Sequence, residues 1–323
     1  MGPLDLSDAL SEGFSENTAE KVHRLLSMLR AIQDRRSTRG RFILKGGTAL
    51  NIFHSRNIPR LSVDLDLMVV GFPGVRAGPQ GHARVLEEIT GLVKSLGYSQ
   101  TTADTAAAAT VRCRYRNRQG SIDQVKIDLD LLNRVTLLSP VSLEGPALFG
   151  AGDYRFPVVD VAELLGQKLT AAAYRAHPRD LFDMHVMLRQ EWHLRPHARE
   201  MYLAYSFLQD ADWRRLDYPT RLNVDYRASL LEDVLRLGES APSLSEIRRA
   251  ARLALASTDP PFNRATPAEE SMRMALLAGD TLAFPNLVGE VRPSRRRSLS
   301  KHPGLRWRLL QASGPSRDPG PSS

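Results

Sequence analysis

Two short motifs near residue 50 bring together residue types that are used in phosphoryl chemistry. The first is a glycine turn, Gly46-Gly47, and the second is an Asp-x-Asp pair, Asp64 and Asp66. Side chains alternate along a strand, so the two carboxylates project from one face and repel each other unless a cation lies between them. Hard oxygen ligands suit Mg²⁺, and glycine N–H groups can approach phosphates closely. The pair of motifs points to metal-dependent nucleotidyl transfer.

The spacing of the two motifs carries this inference, because each motif alone is usually an ordinary turn or a solvated strand end. Residues 49–53 have the apolar spacing of a short amphipathic helix. The predicted unit is therefore a strand over 41–44, the glycine turn, a helix, and a strand that carries the Asp pair. Val63, Leu65 and Leu67 alternate with the carboxylates and are expected in the core.

A hairpin is predicted further along the chain, with strands over 106–115 and 122–132 and a turn over 117–120. Arg112, Arg114 and Arg116 alternate along the first strand and share a face. Arginine forks suit phosphate oxygens, so this face is a candidate contact for RNA or a triphosphate. The alternative, which we favour slightly on sequence alone, is the solvated face of an edge strand.

The second strand of the hairpin offers a third carboxylate. Lys126, Asp128 and Asp130 share one face of it. A third carboxylate near an Asp-x-Asp pair can help to deprotonate an attacking hydroxyl in two-metal chemistry. Asp128 and Asp130 both meet this requirement, so the strand pattern alone does not decide which of them is the third carboxylate.

In the order and spacing of these motifs, the sequence resembles the DNA polymerase β-like nucleotidyltransferase superfamily. More narrowly, it resembles the AbiEii/AbiGii toxin family with its MenT-like members. Two further motifs extend the resemblance over residues 41–188. One is the strand Lys126-Ile127-Asp128-Leu129-Asp130. The other is a helical pair comprising Glu163-Leu164-Leu165-Gly166-Gln167-Lys168-Leu169, then Arg175, then Arg179-Asp180-Leu181-Phe182-Asp183.

The resemblance implies an active site with Mg²⁺ or Mn²⁺ as cofactor and an NTP as substrate. It implies Asp64, Asp66 and Asp128 as metal ligands and favours Asp128 over Asp130. The implied catalytic residues are Asp64, Asp66, Asp128, Lys168 and Asp183. The implied nucleotide-binding residues are Lys45, Gly46, Gly47, Thr48, Ser62, Lys168, Arg175 and Asp180.

Ordinary structural roles are also open to the residues of the helical motif. Lys168 can be a surface lysine whose stem lies along apolar residues. Asp180 can simply complement the positive end of a helix. Glu163 lies three residues after the candidate cap Asp160, so a capping box predicts a structural role for it.

Composition narrows the class of protein. The 323 residues carry a net charge of +8 and a sequence pI near 9.9, which favours a polyanionic partner, with RNA as the first candidate. Cys113 is the single cysteine, so a disulfide framework or a cysteine-based zinc site is excluded. We expect a cytoplasmic protein with no secretory signal and no membrane span.

We therefore predict an α/β fold, a minimal nucleotidyltransferase mixed sheet with helices, followed by a mainly helical C-terminal domain. The expected divisions are a nucleotidyltransferase domain (1–155), a helical domain that completes the site (156–290) and a basic, partly disordered tail (291–323). The resemblance implies a type IV toxin that transfers NMP to RNA, with the tRNA 3′ end as the expected acceptor, and a separate antitoxin partner. The alternatives are transfer to a small molecule or protein hydroxyl, or a non-catalytic nucleotide-binding module. The oligomeric state stays open, with a monomer expected.

Overall fold

The computed structural model describes residues 5–55, 57–72, 79–150, 154–209, 226–262, 264–289 and 292–313. Its strands are β1 (Phe42–Lys45), β2 (Asp64–Val69), β3 (Ser99–Asp104), β4 (Ala108–Arg116), β5 (Ile122–Asp130), β6 (Val141–Glu144) and β7 (Arg155–Val158). Its helices in the first half are α1 (Ser7–Ser11), α2 (Glu16–Asp34), α3 (Gly46–Thr48) and α4 (Pro79–Ser95). Those that follow are α5 (Val161–Tyr174), α6 (Pro178–Arg189), α7 (Ala198–Leu208), α8 (Ser229–Glu232), α9 (Leu244–Ala256), α10 (Pro267–Leu277), α11 (Ala283–Val288), α12 (Pro293–Leu299) and α13 (Pro303–Ser313).

The strands form one mixed sheet of seven in the order β3-β4-β5-β2-β1-β7-β6. β2 pairs antiparallel with β1 and parallel with β5, so the Asp-x-Asp strand lies at the centre. β4 lies between β3 and β5. The expectation that its arginines line an edge strand is therefore wrong, because β3 occupies that edge of the sheet.

The two faces of the sheet are covered differently. α2 and α4 pack on one face, where Arg24 of α2 stacks 3.9 Å from the ring centre of Tyr115 on β4. Alternation along β4 places Arg112 and Arg114, both exposed, on the other face, which we call the arginine face. Leu65 and Leu67 of β2 are fully buried, while Asp64 and Asp66 are half-buried on the arginine face. The predicted α/β class is confirmed.

The segments around the predicted domain boundaries are continuous with this fold. β7 begins at Arg155 and joins the sheet beside β1. Residues 293–299 and 303–313 of the predicted basic tail are helical, as α12 and α13, and residues 314–323 lie outside the described residues. The division into domains at 155 and 290 stays a prediction. Among the described residues no helix is both long and apolar enough to cross a membrane.

Candidate active site

Three carboxylates meet on the arginine face of the sheet. Asp64 and Asp66 lie two residues apart on β2, and the parallel register sets Asp66 opposite Asp128 and Asp64 opposite Lys126 of β5. Neighbouring strands lie about 4.8 Å apart, so these side chains adjoin one another. The structure thus brings together the three residues that the sequence suggested as metal ligands.

The glycine turn between β1 and α3 lies directly against these carboxylates. Gly46 has a φ of +72°, a left-handed conformation that suits glycine. A Cβ added to Gly46 would lie 1.9 Å from Oδ2 of Asp66, and one added to Gly47 would lie 2.8 Å from Oγ of Ser62. Side chains at either position would push the turn away from β2. The two glycines therefore allow backbone N–H groups to lie beside the Asp pair.

The threonine after the two glycines links the turn to β2. The Thr48 hydroxyl donates to the backbone carbonyl of Asp64 at 2.6 Å, and the residue is buried. Its single proton is used to tie the turn to β2. A hydrogen bond from this hydroxyl to a triphosphate would require that bond to break.

Basic side chains balance the charge of the half-buried carboxylates. Lys126 Nζ lies 2.7 Å from Asp128 Oδ2 and 4.0 Å from Asp64 Oδ2, and Arg179 Nη1 of α6 lies 3.8 Å from Asp64 Oδ2. The Thr110 hydroxyl donates to Asp128 Oδ1 at 2.7 Å. Lysine and threonine together fix the orientation of the Asp128 carboxylate.

Burial makes the central carboxylate harder to ionise. It raises the pKa of Asp66 above its ordinary value, and the nearby charges of Lys45 and Lys168 offset this only in part. The neighbouring carboxylates of Asp128 and Asp64 raise the pKa further. A cation beside the three carboxylates would favour their ionised forms.

Asp130, the second candidate on β5, has structural partners instead. Lys45 Nζ lies 2.5 Å from Asp130 Oδ2. The backbone N–H groups of Leu132 and Asn133 donate to Asp130 Oδ1 at 3.1 and 2.8 Å. These contacts close the turn that ends β5 and hold the pKa of Asp130 below its ordinary value despite burial. They distinguish Asp130 from the more accessible Asp128.

The helical half of the site is built around a buried aspartate on α6. Asp183 is fully buried, and its Oδ1 and Oδ2 each accept a 2.7 Å bond from the Arg60 guanidinium. Lys168 Nζ of α5 lies 2.7 Å from Asp183 Oδ2, and Asn51 Nδ2 donates to Oδ1 at 3.1 Å. Burial alone would raise the pKa of Asp183, but Arg60 and Lys168 lower it to about 2. The resemblance implies that Asp183 holds either Lys168 or Arg175 in position. In the structure Asp183 contacts Lys168, whereas Arg175 contacts Asp180.

A second aspartate extends this cluster towards solvent. Asp180 Oδ1 lies 3.2 Å from Lys168 Nζ, and Oδ2 lies 2.6 Å from Arg175 Nε. The Arg175 side chain is 64% exposed whereas that of Asp180 is 4% exposed. Together with Arg60 and Asp183, the group holds three cations and two carboxylates, so a positive charge remains for an anionic ligand.

Glu163 is structural, but not through a capping box. The side chain of Asp160 caps α5 by accepting from the Ala162 N–H at 2.8 Å. The Glu163 carboxylate instead accepts from the backbone N–H groups of Leu137 and Leu138, at 3.0 and 2.8 Å, and from the Tyr205 hydroxyl at 2.6 Å. It anchors the 137–138 segment to the helical half.

Sequence reasoning missed Arg60, Asn51 and Arg179 as site residues. Arg60 lies in an irregular segment before β2 and is 2% exposed, so no periodic pattern marked it as buried. Asn51 lies inside a π-helical segment, Ala49–His54, that replaces the ordinary helix expected there. Arg179 begins the motif that contains Asp180 and Asp183. Its position directly before Asp180 was the sequence feature that could have indicated a site residue.

The donor set fits a hard divalent cation, since the three clustered carboxylates on the arginine face supply only oxygen donors. Among the described residues, however, no group of three or more His, Cys, Asp or Glu side chains has a geometry ready to hold a metal ion. Lys126 and Arg179 lie among these carboxylates and contact two of them. Loading of a metal would therefore require these basic side chains to move.

The structure contains the arrangement predicted for a nucleotidyltransferase, which is a mixed sheet with a glycine turn against the Asp-x-Asp strand and a third carboxylate on the next strand. Residues 27–277 match the family described as nucleotidyl transferase AbiEii toxin of type IV toxin–antitoxin systems, and the chain belongs to this family. It is thus a nucleotidyltransferase toxin by family, which confirms the enzyme class expected from the sequence.

Among solved structures, the chain is similar to MenT4, a nucleotidyltransferase toxin from Mycobacterium tuberculosis H37Rv. The TM-score is 0.59 with 17% sequence identity, over 94% of this chain and 99% of MenT4. At this identity the likeness supports the fold alone. No curated protein matches the sequence.

Proposed function

We propose that this protein transfers a nucleoside monophosphate from an NTP to an RNA acceptor, with the 3′ end of tRNA as the first candidate, and thereby blocks translation. The main support is the position of Asp64, Asp66 and Asp128 beside the glycine turn, on the same sheet face as Arg112 and Arg114.

The triphosphate would lie between the glycine turn and α5–α6. Backbone N–H groups of Gly46 and Gly47 can donate to phosphate oxygens where no Cβ intervenes. Arg175 is largely exposed and can turn towards the phosphates, while Lys168 is held from behind by two carboxylates. Arg179 Nε is buried without a hydrogen-bond partner in the described part of the chain, so a phosphate oxygen would satisfy it.

In the reaction, the acceptor hydroxyl oxygen attacks the α-phosphorus and the bond to the pyrophosphate oxygen breaks. Asp128 would take the hydroxyl proton, with Thr110 fixing its orientation. Mg²⁺ or Mn²⁺, held by Asp64, Asp66 and Asp128, would supply charge stabilisation at the phosphates. Lys168 and Arg175 would neutralise negative charge that develops on the leaving pyrophosphate.

RNA is favoured as the acceptor by the charge of the sheet face. In the β4–β5 register, Arg112 lies opposite Lys126, which in turn lies opposite Asp64 across β5 and β2. Two basic side chains on adjacent strands β4 and β5 therefore lead towards the carboxylates. Phosphate contacts from such a row would position an acceptor strand without reading its sequence.

Membership of the family implies an antitoxin partner. We propose that this antitoxin is a separate protein.

The test is transfer of label from each NTP to total tRNA in the presence of Mg²⁺. Wild-type protein is compared with Asp66→Ala and with Asp123→Ala, a β5 carboxylate whose register places it on the opposite face and which pairs with Lys21. We expect label in tRNA for wild type and Asp123→Ala and none for Asp66→Ala. Equal labelling by Asp66→Ala would contradict the metal assignment. If label enters only small molecules or protein, the acceptor is one of these and not RNA.

A further inference from the structure

A cavity of about 800 Å³ lies between the C-terminal helices α12 and α13 and the segment that follows β5. Five basic side chains and no acidic side chain line it. The basic residues and one aromatic residue that matter here are Arg134, Arg295, Arg297, Lys301, Arg306 and Trp307. We call this site the C-terminal pocket. Its helices lie beyond residue 277, where the family match ends.

The C-terminal pocket continues the face of the sheet that carries the active site. Ile43 and Val70 line the pocket, and alternation places them on the same face as Lys45 and Asp66, further along β1 and β2. Asp66 and Val70 are separated by about 13 Å at the rise of a strand. This length corresponds to about four stacked nucleotides.

Specific contacts fix the walls of the pocket. The His302 ring bonds through Nε2 to the Val135 carbonyl at 2.9 Å, and Arg295 Nη2 donates to the Thr136 and Leu137 carbonyls at 2.7 Å each. A Cβ added to Gly304 would lie 2.5 Å from Asn133 Oδ1, so α13 packs closely on the same segment. Asn133 also donates to Asp130, which pairs with Lys45. The pocket is thus tied to the glycine turn.

The lining suits a single-stranded nucleic acid. Trp307 is 46% exposed and offers a ring face for a base, while Ile43, Val70 and Leu132 form an apolar floor. Arg297, Lys301 and Arg306 are exposed around it and can contact phosphates. Basic grooves with an aromatic stacking surface bind single strands with little sequence preference.

We propose that the C-terminal pocket binds the acceptor RNA a few nucleotides before the hydroxyl that receives the NMP, with Trp307 stacking on a base and Lys301 and Arg306 contacting phosphates. This proposal rests on RNA being the acceptor in the proposed function. It goes further in assigning the C-terminal helices, which lie outside the family match, to acceptor binding.

Charge reversals in the full-length protein test the phosphate contacts. Lys301→Glu and Arg306→Glu are compared with Lys94→Glu and Arg84→Glu, which make the same charge change at exposed positions of α4 on the opposite face. We expect the two pocket variants to bind a fluorescein-labelled single-stranded RNA at least about tenfold more weakly. The dependence of log affinity on log salt concentration should become shallower by about 0.7 for each phosphate that the variant no longer neutralises. The α4 variants should bind as wild type.

Substitution of the tryptophan tests stacking. Trp307→Ala should weaken RNA binding by about tenfold, and Trp307→Phe should restore most of it, because a phenyl ring also stacks. In the transfer assay, the pocket variants should raise the KM for RNA and leave kcat and the KM for NTP unchanged.

The outcomes separate this proposal from the proposed function. Wild-type RNA affinity in both Lys301→Glu and Trp307→Ala would overturn the assignment of the pocket as an RNA site. If wild-type protein labels no RNA at all, the proposed function fails, while the binding measurement still decides whether the pocket holds RNA.

Discussion

Arg60 and Asp183 lie 123 residues apart in sequence and form a buried ion pair with two 2.7 Å bonds. The pair joins the segment before β2 to α6, and therefore the carboxylate strand to the helical half. Arg60 also lies against the glycine turn, since a Cβ on Gly47 would be 3.0 Å from its Nη2. Together with the bond from Asn51 to Asp183, this contact helps to fix the relative position of the two halves of the site.

Asp183→Asn should destabilise the protein strongly. The substitution leaves Arg60 and Lys168 buried without a full counter-charge, and breaking such a pair costs about 3–5 kcal/mol. The matched control is Glu144→Gln, which breaks the exposed Arg155–Glu144 pair and should cost less than about 1 kcal/mol. Urea denaturation measures both losses. Equal losses would mean that the Arg60–Asp183 pair contributes no more than a surface ion pair.

Gly46→Ala should abolish most transfer activity. The new Cβ would meet Asp66 Oδ2 at 1.9 Å, so either the turn or the carboxylate must move. A displacement of this size near reacting groups lowers the rate by about 100-fold.

Gly40→Ala is the control for backbone strain in Gly46→Ala. Gly40 has a φ of +68° and no atom within 4 Å of an added Cβ. Both substitutions carry the left-handed strain of about 1–2 kcal/mol, but only the one at Gly46 should reduce kcat/KM. Similar kcat/KM values for the two variants would show that the turn tolerates a side chain.

The elements that carry the site could be predicted because their patterns are local. Period two along β2 predicted that Asp64 and Asp66 share a face, and the order of the glycine turn and this strand predicted the central unit. For β2 and the glycine turn, a few consecutive residues contained the information. The role of Asp183 came from the family resemblance, which left Lys168 and Arg175 both open as its partner.

The parts that sequence could not predict depend on contacts between distant segments. Asp128 and Asp130 share a face of β5, and only the partners of Asp130, Lys45 and Asn133, distinguish them. Arg60 belongs to the site only because it contacts Asp183 on α6, which is distant in sequence. The C-terminal pocket combines residues of β1, the segment after β5 and α13. The sequence of the predicted basic tail did not indicate this pocket, because its arginines have no periodic pattern.

Asp128→Asn and Asp130→Asn should have opposite effects. Asp128→Asn removes the proposed proton acceptor, so kcat should fall by about 10²–10⁴ with little change in unfolding free energy. Asp130→Asn removes the partner of Lys45 and should cost about 1–3 kcal/mol in unfolding free energy, with a smaller effect on kcat. Paired denaturation and transfer assays test this, and the reverse pattern would make Asp130 the catalytic residue.

His302 should make the protein less stable as the pH falls from about 6.5 towards 4. Burial lowers the pKa of His302 from 6.5 to about 4, with Asp130 and Arg295 as the charged groups that face it. Nδ1 accepts from the Gly304 N–H at 3.1 Å, so the neutral ring donates from Nε2 to Val135.

Between these pH values the unfolded chain binds a proton that the folded chain does not, so stability is complete above about pH 6.5 and declines below it, by about 3 kcal/mol near pH 4. His302→Gln keeps a donor for Val135 and removes the titration. Urea unfolding at successive pH values measures the unfolding free energy. Its decline with falling pH should be shallower for His302→Gln than for wild type, by up to the slope that one additional bound proton produces. Identical slopes for the two proteins would mean that His302 keeps an ordinary pKa and that the contact between α13 and the segment after β5 opens readily.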